Sequence, residues 1–129
     1  MPVQAGDRMK RIGSLGLCCY LASAVVQAGE ADVVRAEAKR TAEGVYRFDV
    51  TLRHHDKGWG HYADRWEVIT PAGKVIATRV LHHPHVDEQP FTRSLAGVRL
   101  PAGIASVRVR AHDSVHGYGG KEVELALPR

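Results

Sequence analysis

Cysteine and methionine are absent from this chain after residue 28. The two cysteines are Cys18 and Cys19, and the two methionines are Met1 and Met9. If residues 1–28 are removed, the remaining chain has no thiol, no disulfide and no thioether. That excludes structural cysteine–zinc sites, iron–sulfur clusters and soft Cu(I) sites built on sulfur ligands. A domain of about 100 residues without a disulfide must close on its hydrophobic core alone, and that length is sufficient.

The first 28 residues have the pattern of a secretory signal peptide. Basic residues at 8, 10 and 11 precede a mainly apolar stretch at 12–26, and Val26-Gln27-Ala28 is a small-x-small cleavage signal. Either Met1 or Met9 is the start. We expect a signal peptide at 1–28, a single domain at 29–129, and a periplasmic or secreted mature protein that is not stably inserted in a membrane.

Two other fates of this segment are disfavoured. An N-terminal membrane anchor would need about 20 apolar residues, and the apolar run is shorter than that. A lipid anchor on Cys18 or Cys19 would follow a very short apolar run, and Leu17 is a poor residue just ahead of a modified cysteine.

Several other signals are also missing. The chain carries 18 Lys and Arg against 14 Asp and Glu, without a basic run, so nucleic-acid binding is not indicated. There is no internal repeat and no low-complexity segment. No Ser-His-Asp order, glycine-rich phosphate loop or pair of catalytic carboxylates stands out, and Gly117-Tyr118-Gly119-Gly120 is better explained as a sharp turn.

What the chain does contain is a series of short strands. Alternating apolar residues predict strands at 33–39, 45–53, around Trp66 and Val68, at 75–81, at 91–100 with a bulge at Ala96-Gly97, around 107–111 and at 122–127. Seven strands without helical periodicity predict an all-β fold, an immunoglobulin-like antiparallel β-sandwich. The core residues expected to be buried are Phe48, Val50, Leu52, Trp66, Val68, Val107, Val109 and Leu125.

All eight histidines lie between positions 54 and 116, in three predicted connections. In an antiparallel succession every second connection lies at the same end of the fold, so these three connections should meet. Imidazole is the commonest metal-ligating side chain. A cluster of this kind suits a divalent ion, with copper or zinc favoured over iron. The candidate ligands are His54, His55, His61, His83, His85, His112, His116 and Asp113. Among the histidines, His82 and His83 are those whose replacement is expected to be silent.

Neighbouring residues have candidate roles around such a site. Acidic residues could be oxygen ligands or could fix the imidazole tautomers, and aromatic residues could form its wall; they are Asp56, Asp64, Asp87, Glu88, Trp59, Tyr62 and Tyr118. The alternative is that the histidines are solvated loop residues or cap strand ends. A lone surface histidine is more often neither a ligand nor a catalyst.

Two segments resemble a known family. The segment from His61 to Val68 resembles the histidine-containing run into a Trp strand of superoxide reductases, the catalytic domains of desulfoferrodoxin and neelaredoxin. The segment from Arg110 to Gly117 resembles their late Cys-Asn-x-His-Gly motif, but Asp113 stands where the family has cysteine. The spacing from His61 to Trp66 is one residue longer than the family's.

The resemblance spans about residues 45–127 and implies a non-haem iron at one end of an immunoglobulin-like sandwich. It would make His116 the late histidine ligand, with His54, His55 and His61 as candidates for the others. The length and the order of strands and turns are also similar to the Z subunit of the sulfur-oxidation carrier complex, which uses that fold without a metal.

Three functions therefore stay open. The first is a periplasmic metal-binding protein for copper or zinc, the second is a superoxide-reductase-like redox enzyme, and the third is a metal-free sandwich that binds a protein partner. Loss of the axial thiolate argues against the second.

Overall fold

The computed structural model describes residues 29–129, so the predicted signal peptide at 1–28 lies outside the described residues. The described part consists of seven strands joined by turns and loops: β1 Asp32–Ala42, β2 Val45–Arg53, β3 Ala63–Ile69, β4 Val75–Val80, β5 Phe91–Arg99, β6 Ser106–Asp113 and β7 Val123–Ala126. It has no helix long and apolar enough to cross a membrane. The prediction of an all-β chain with seven strands is confirmed.

The strands form two antiparallel sheets. The first has the order β1-β2-β5 and the second has the order β4-β3-β6-β7. Apolar residues from both sheets form one core, in which Phe48 and Val50 of β2 contribute beside Trp66 and Val68 of β3. Burying these side chains between two layers drives the sheets together, because each strand of a sheet carries one apolar face.

Strand β2 shows why this sequence forms a half-buried strand. Its residues at 46, 48, 50 and 52 are buried, and those at 45, 47, 49, 51 and 53 are not, which is the period-2 alternation expected from the sequence. The bulge predicted at Ala96-Gly97 is present in the partner strand. Tyr46 pairs with Val98 whereas Phe48 pairs with Leu95, so β5 holds an extra residue there.

The predicted core is confirmed with one correction. Seven of the eight residues expected to be buried are buried, but Leu125 is only partly buried. It lies on β7, a four-residue strand at the edge of its sheet, and so it has a neighbouring strand on one side only.

The three long connections lie at the same end, as predicted. Leu52 pairs with Phe91 near the end of β2, and Ala63 pairs with Asp113 near the start of β3. Asp32, the first residue of β1, pairs with Arg53 at this same end. The connections 54–62, 81–90 and 114–122 and the start of the described chain therefore surround one end of the two sheets.

Candidate metal centre

Asp113, the last residue of β6, is at the centre of the histidine end. Its side chain is fully buried, with an exposed fraction of 0%. Oδ1 accepts hydrogen bonds from the backbone N–H groups of Val115 (2.7 Å) and His116 (2.6 Å), as the chain turns back after β6. Burial alone would raise the pKa of Asp113, but these two N–H groups and the nearby His61 and His54 outweigh it and lower the pKa. The carboxylate is therefore held ionised, and its second oxygen faces the histidines.

Three imidazoles surround that second oxygen. Oδ2 of Asp113 lies 3.2 Å from Nε2 of His54, 3.3 Å from Nε2 of His61 and 3.3 Å from Nδ1 of His116. The ring centroids of His54 and His61 are 4.9 Å apart, and so are those of His61 and His116. We call these four residues the histidine–aspartate cluster. Its members come from two of the long connections and from the end of β6.

The separations in the cluster are compatible with a shared ion. The candidate ligand atoms of His54, His61 and Asp113 all lie within 4.8 Å of one another. Two ligand atoms held at about 2.0–2.1 Å by a tetrahedral zinc ion lie roughly 3.3 Å apart. The distances to Oδ2 given above are close to that value. Because the separations between ligand atoms extend to 4.8 Å, the side chains would have to move closer together to share one ion. The donor set of imidazoles and one carboxylate suits zinc, copper or iron.

A second carboxylate orients His54. Nδ1 of His54 contacts Oδ1 of Asp56, and the same oxygen accepts a hydrogen bond from the N–H of Ala63 (3.1 Å). Oδ2 of Asp56 accepts from the backbone N–H of His85 (2.6 Å). A carboxylate that receives one imidazole N–H and leaves the other nitrogen for a metal is the usual support of a metal-bound histidine. Asp56 thus has the tautomer-fixing role that the sequence suggested for the acidic residues.

The two ring nitrogens of His54 face different carboxylates. Nε2 faces Asp113, and Nδ1 faces Asp56. Nε2 is therefore the nitrogen that is available to a metal ion in the cluster.

One side of the cluster opens to solvent. The side chain of His116 is 39% exposed, whereas that of His54 is 1% exposed. A cavity of about 470 Å³ lies on the exposed side and is lined by Gly29, His55, Lys57, His61 and His116. A small ion or ligand can therefore reach the cluster from this side.

The other candidate ligands lie outside this cluster, although they belong to the same end of the fold. His112 precedes Asp113 on β6 and so lies on the opposite face, where Nδ1 is 2.6 Å from Oδ1 of Asp64. His85 is buried and stacked on Phe91, with ring centroids 4.0 Å apart, and both of its ring nitrogens lack a hydrogen-bond partner. Burial, aided by the positive charge of Arg93, lowers the pKa of His85.

The remaining histidines are exposed. His55 lines the cavity beside the cluster, while His82 and His83 lie on the surface of the connection before β5. The ring centroids of His83 and His85 are 4.8 Å apart. Neither ring has a hydrogen bond or an ion pair with Asp113.

Two of the three aromatic residues suggested as a wall lie away from the cluster. Trp59 is 67% exposed and packs edge-on against Tyr62, so it does not enclose the cluster. Tyr118 lies on the outer face of the second sheet, where it contacts His112 and donates a hydrogen bond to Glu67 (2.9 Å). Burial opposes ionisation of Glu67, but hydrogen bonds from Arg110, Tyr118 and Arg65 lower its pKa. This network fastens the connection that carries His116 to the sheet.

Two contributors to the site were missed in the sequence. Lys57 lines the cavity, and the carbonyl oxygen of Gly29 lies 3.0 Å from Nε2 of His54. Lys57 lies between His55 and His61, and this position was the signal that could have identified it. Gly29 lies three residues before the first residue of β1, but no sequence pattern shows that this strand begins beside the histidines.

The chain is similar in sequence to a protein of an archaeal halophile, and its other comparisons gave no match. No protein-family model matches the chain, and no solved structure matches it. A protein of Halomicrobium mukohataei named "Putative lipoprotein" is 44% identical over 92 residues. The match covers 71% of this chain and 45% of that protein, so the chain spans about half the length of its relative. The relative's name states no ligand and no activity.

Proposed function

We propose that this protein is an extracytoplasmic metal-binding protein, and that the histidine–aspartate cluster holds one divalent ion, copper or zinc. The observation that carries the proposal is the meeting of three imidazoles at one buried, ionised carboxylate oxygen. A neutral imidazole offers a nitrogen lone pair and the ionised carboxylate offers a negative charge, so a divalent cation is the group that can be bound by all four side chains at once. The ligands are His54, His61, His116 and Asp113.

Two observations support a location outside the cytoplasm. The chain has a secretory pattern at 1–28, and its relative carries a name that implies attachment to the cell envelope. We propose a periplasmic or secreted site of action. A lipid-anchored form is the alternative that the relative's name favours, and Cys18 and Cys19 are the residues it would use.

The strand order supports a further proposal about the fold. Three strands in the order β1-β2-β5 face four in the order β4-β3-β6-β7. This is the arrangement expected of an immunoglobulin-like sandwich in which the fourth strand has joined the second sheet. The proposed metal site lies at one end of that sandwich, where long connections gather on a rigid frame.

The test is calorimetric titration of Cu(II) and Zn(II) into untagged protein and single-residue variants. His61→Ala and His116→Ala each remove a proposed ligand, whereas His82→Ala and His83→Ala remove exposed imidazoles from the same end of the fold. We expect the first pair to lower the affinity by at least the roughly 10–100-fold that loss of a supporting residue costs at metal sites. The second pair should keep the affinity of the parent protein.

Two results would contradict the proposal. One is equal affinity in all four variants, which would mean independent surface imidazoles. The other is binding in the millimolar range that leaves the melting temperature unchanged, since an ion that binds only the folded state must stabilise it. Either result would favour the metal-free protein-binding function.

Iron-dependent reduction of superoxide is the second candidate. It is favoured by the position of Asp113, which stands where superoxide reductases have their cysteine ligand and lies at the centre of the cluster. A carboxylate is a harder and less electron-donating ligand than a thiolate, so we rank this function below metal binding. Superoxide consumption by the Fe(II)-loaded protein distinguishes the two, because a metal carrier has no such activity.

A further inference from the structure

Gly29 lies inside the proposed metal site. Its carbonyl oxygen is 3.0 Å from Nε2 of His54, a nitrogen that the proposed function assigns to the ion. A Cβ added to Gly29 would lie 2.7 Å from Cε1 of His116, so the backbone of Gly29 is packed directly against that imidazole. This contact leaves no room for a larger side chain at position 29 unless the imidazole shifts.

The fold holds Gly29 in this place. Ala31 is buried, with an exposed fraction of 1%, and the N–H of Val33 donates to the carbonyl of Lys121 (2.8 Å). Oδ1 of Asp32 accepts a hydrogen bond from the N–H of Lys121 (2.7 Å). A Cβ at Gly120 would lie 1.9 Å from the carbonyl oxygen of Ala31, which shows how closely the two segments approach. The segment that begins β1 is thus docked on the connection that carries His116.

The predicted cleavage site ends at Ala28, immediately before Gly29. Hydrolysis of the Ala28–Gly29 bond adds one water: its hydroxyl goes to the carbonyl carbon of Ala28, and its hydrogen goes to the nitrogen of Gly29. In the uncleaved chain that nitrogen belongs to a peptide bond, and its lone pair is delocalised into the carbonyl group. After cleavage it is an amine with a lone pair that a metal can use. This nitrogen is bonded to the same Cα as the added Cβ that would touch His116.

We propose that the mature amino terminus is itself a ligand: the α-amino nitrogen and the carbonyl oxygen of Gly29 chelate the ion bound by the histidine–aspartate cluster. This inference rests on the proposed metal-binding function. The chelate closes a five-membered ring of metal, nitrogen, Cα, carbonyl carbon and oxygen. Removal of the signal peptide then completes the site, so the precursor binds metal more weakly than the mature protein.

The experiment uses the full chain expressed with its own signal segment and recovered after export. Intact-mass measurement should give a mature chain that begins at Gly29. The comparison variant has one glycine inserted between Ala28 and Gly29, which moves the free amine one residue away and keeps Gly29 in the chain. We expect Cu(II) affinity to fall by about 10- to 100-fold in this variant, the range seen when the support of a metal site is disturbed.

Two controls separate this inference from the proposed function. The metal-free melting temperature of the insertion variant should equal that of the parent, because the docked segment from Glu30 onward is unchanged. Selective ¹⁵N-glycine labelling should alter the nitrogen couplings in the electron paramagnetic resonance spectrum of the Cu(II)-loaded parent, and it should not do so in a variant whose amine is displaced from the ion.

The outcomes are distinct. Equal Cu(II) affinity in the two proteins, or a spectrum insensitive to the label in the parent, overturns the amino-terminal ligand and leaves the histidine–aspartate site standing. A mature chain that begins at another residue also overturns it. If neither protein binds Cu(II) or Zn(II), the proposed function and this inference both fail.

Discussion

Asp113→Asn is the sharpest perturbation of the site, because it changes charge without changing shape. The amide oxygen can still accept from the N–H groups of Val115 and His116 at the Oδ1 position. The amide nitrogen replaces Oδ2, where three imidazole nitrogens lie within 3.3 Å. That nitrogen only donates hydrogen bonds, so it can neither bind a cation nor accept from the imidazoles.

The expected magnitude follows from these contacts. Loss of one charged ligand should weaken Cu(II) or Zn(II) binding by roughly 100-fold or more, which is about 2.8 kcal/mol. The metal-free fold should also lose on the order of 1.5–3 kcal/mol, because hydrogen bonds to a charged group such as the Asp113 carboxylate contribute that much. Titration calorimetry measures the first effect, and urea unfolding in the presence of a chelator measures the second.

Asp64→Asn is the matched control. Asp64 also pairs with a histidine at this end of the fold, since its Oδ1 is 2.6 Å from Nδ1 of His112, but the pair lies on the outer face of the second sheet. The substitution is the same, and we expect no measurable change in metal affinity. Equal losses in the two variants would refute the reasoning, because they would show that affinity depends on net charge at this end of the fold. An unchanged affinity in Asp113→Asn would remove Asp113 from the ligand set.

The remaining predictions concern the core, a buried imidazole and the pH dependence of binding. Phe48→Ala should cost roughly 3–5 kcal/mol of unfolding free energy by forming a cavity, and urea unfolding would show a negligible loss if Phe48 were not in the core. Burial lowers the pKa of His85, so the imidazole is protonated at a higher pH in the unfolded chain than in the folded chain. His85 therefore makes the free energy of unfolding fall as the pH drops below about 6.5. His85→Leu should reduce this pH dependence, measured by unfolding the chelated protein at several pH values, and an unchanged slope would contradict it. Metal affinity should also decline as the pH falls through about 6.5, because protonated imidazole has no lone pair to donate; calorimetry across that range would reveal a pH-independent affinity if imidazoles were not ligands.

The residues of the cluster follow from an alternation that the sequence already contains. In β2 every second residue is buried, at positions 46, 48, 50 and 52. The same alternation continues into the following connection, where residues 54 and 56 are buried and residue 55 is exposed. In β6 the inward residues Val107, Val109 and Ala111 lead by parity to Asp113 and turn His112 outward. The sequence therefore held the distinction between His54 and His55, and between Asp113 and His112. It was missed for two reasons. The alternation of β2 continues beyond the strand, whose end at Arg53 was predicted correctly, and the predicted sixth strand stopped at Ala111 although β6 ends at Asp113.

Other parts of the site could not be predicted in this way. His83 and His85 lie in an irregular connection, where no regular alternation determines which side chains face the core. His85 is buried because its ring stacks on Phe91, a contact that the sequence pattern does not show. Gly29 reaches the cluster only because the start of β1 docks on the distant connection at 117–121. Contacts between segments so far apart depend on the packing of the two sheets, and local sequence does not encode them.

If the cluster binds an ion as we propose, its unequal burial determines how that ion could be exchanged. His54 and Asp113 are buried and fixed by hydrogen bonds, so they form a rigid half of the site that needs little rearrangement to bind. His116 is 39% exposed and borders an open cavity beside His55 and Lys57, so the other half faces solvent. A storage site would enclose its ion on every side, because slow release requires that no ligand be easily replaced. A rigid inner half with a solvent-facing outer half instead lets an incoming ligand displace His116 while His54 and Asp113 still hold the ion. This arrangement suits stepwise exchange with a partner, and therefore capture and delivery more than storage.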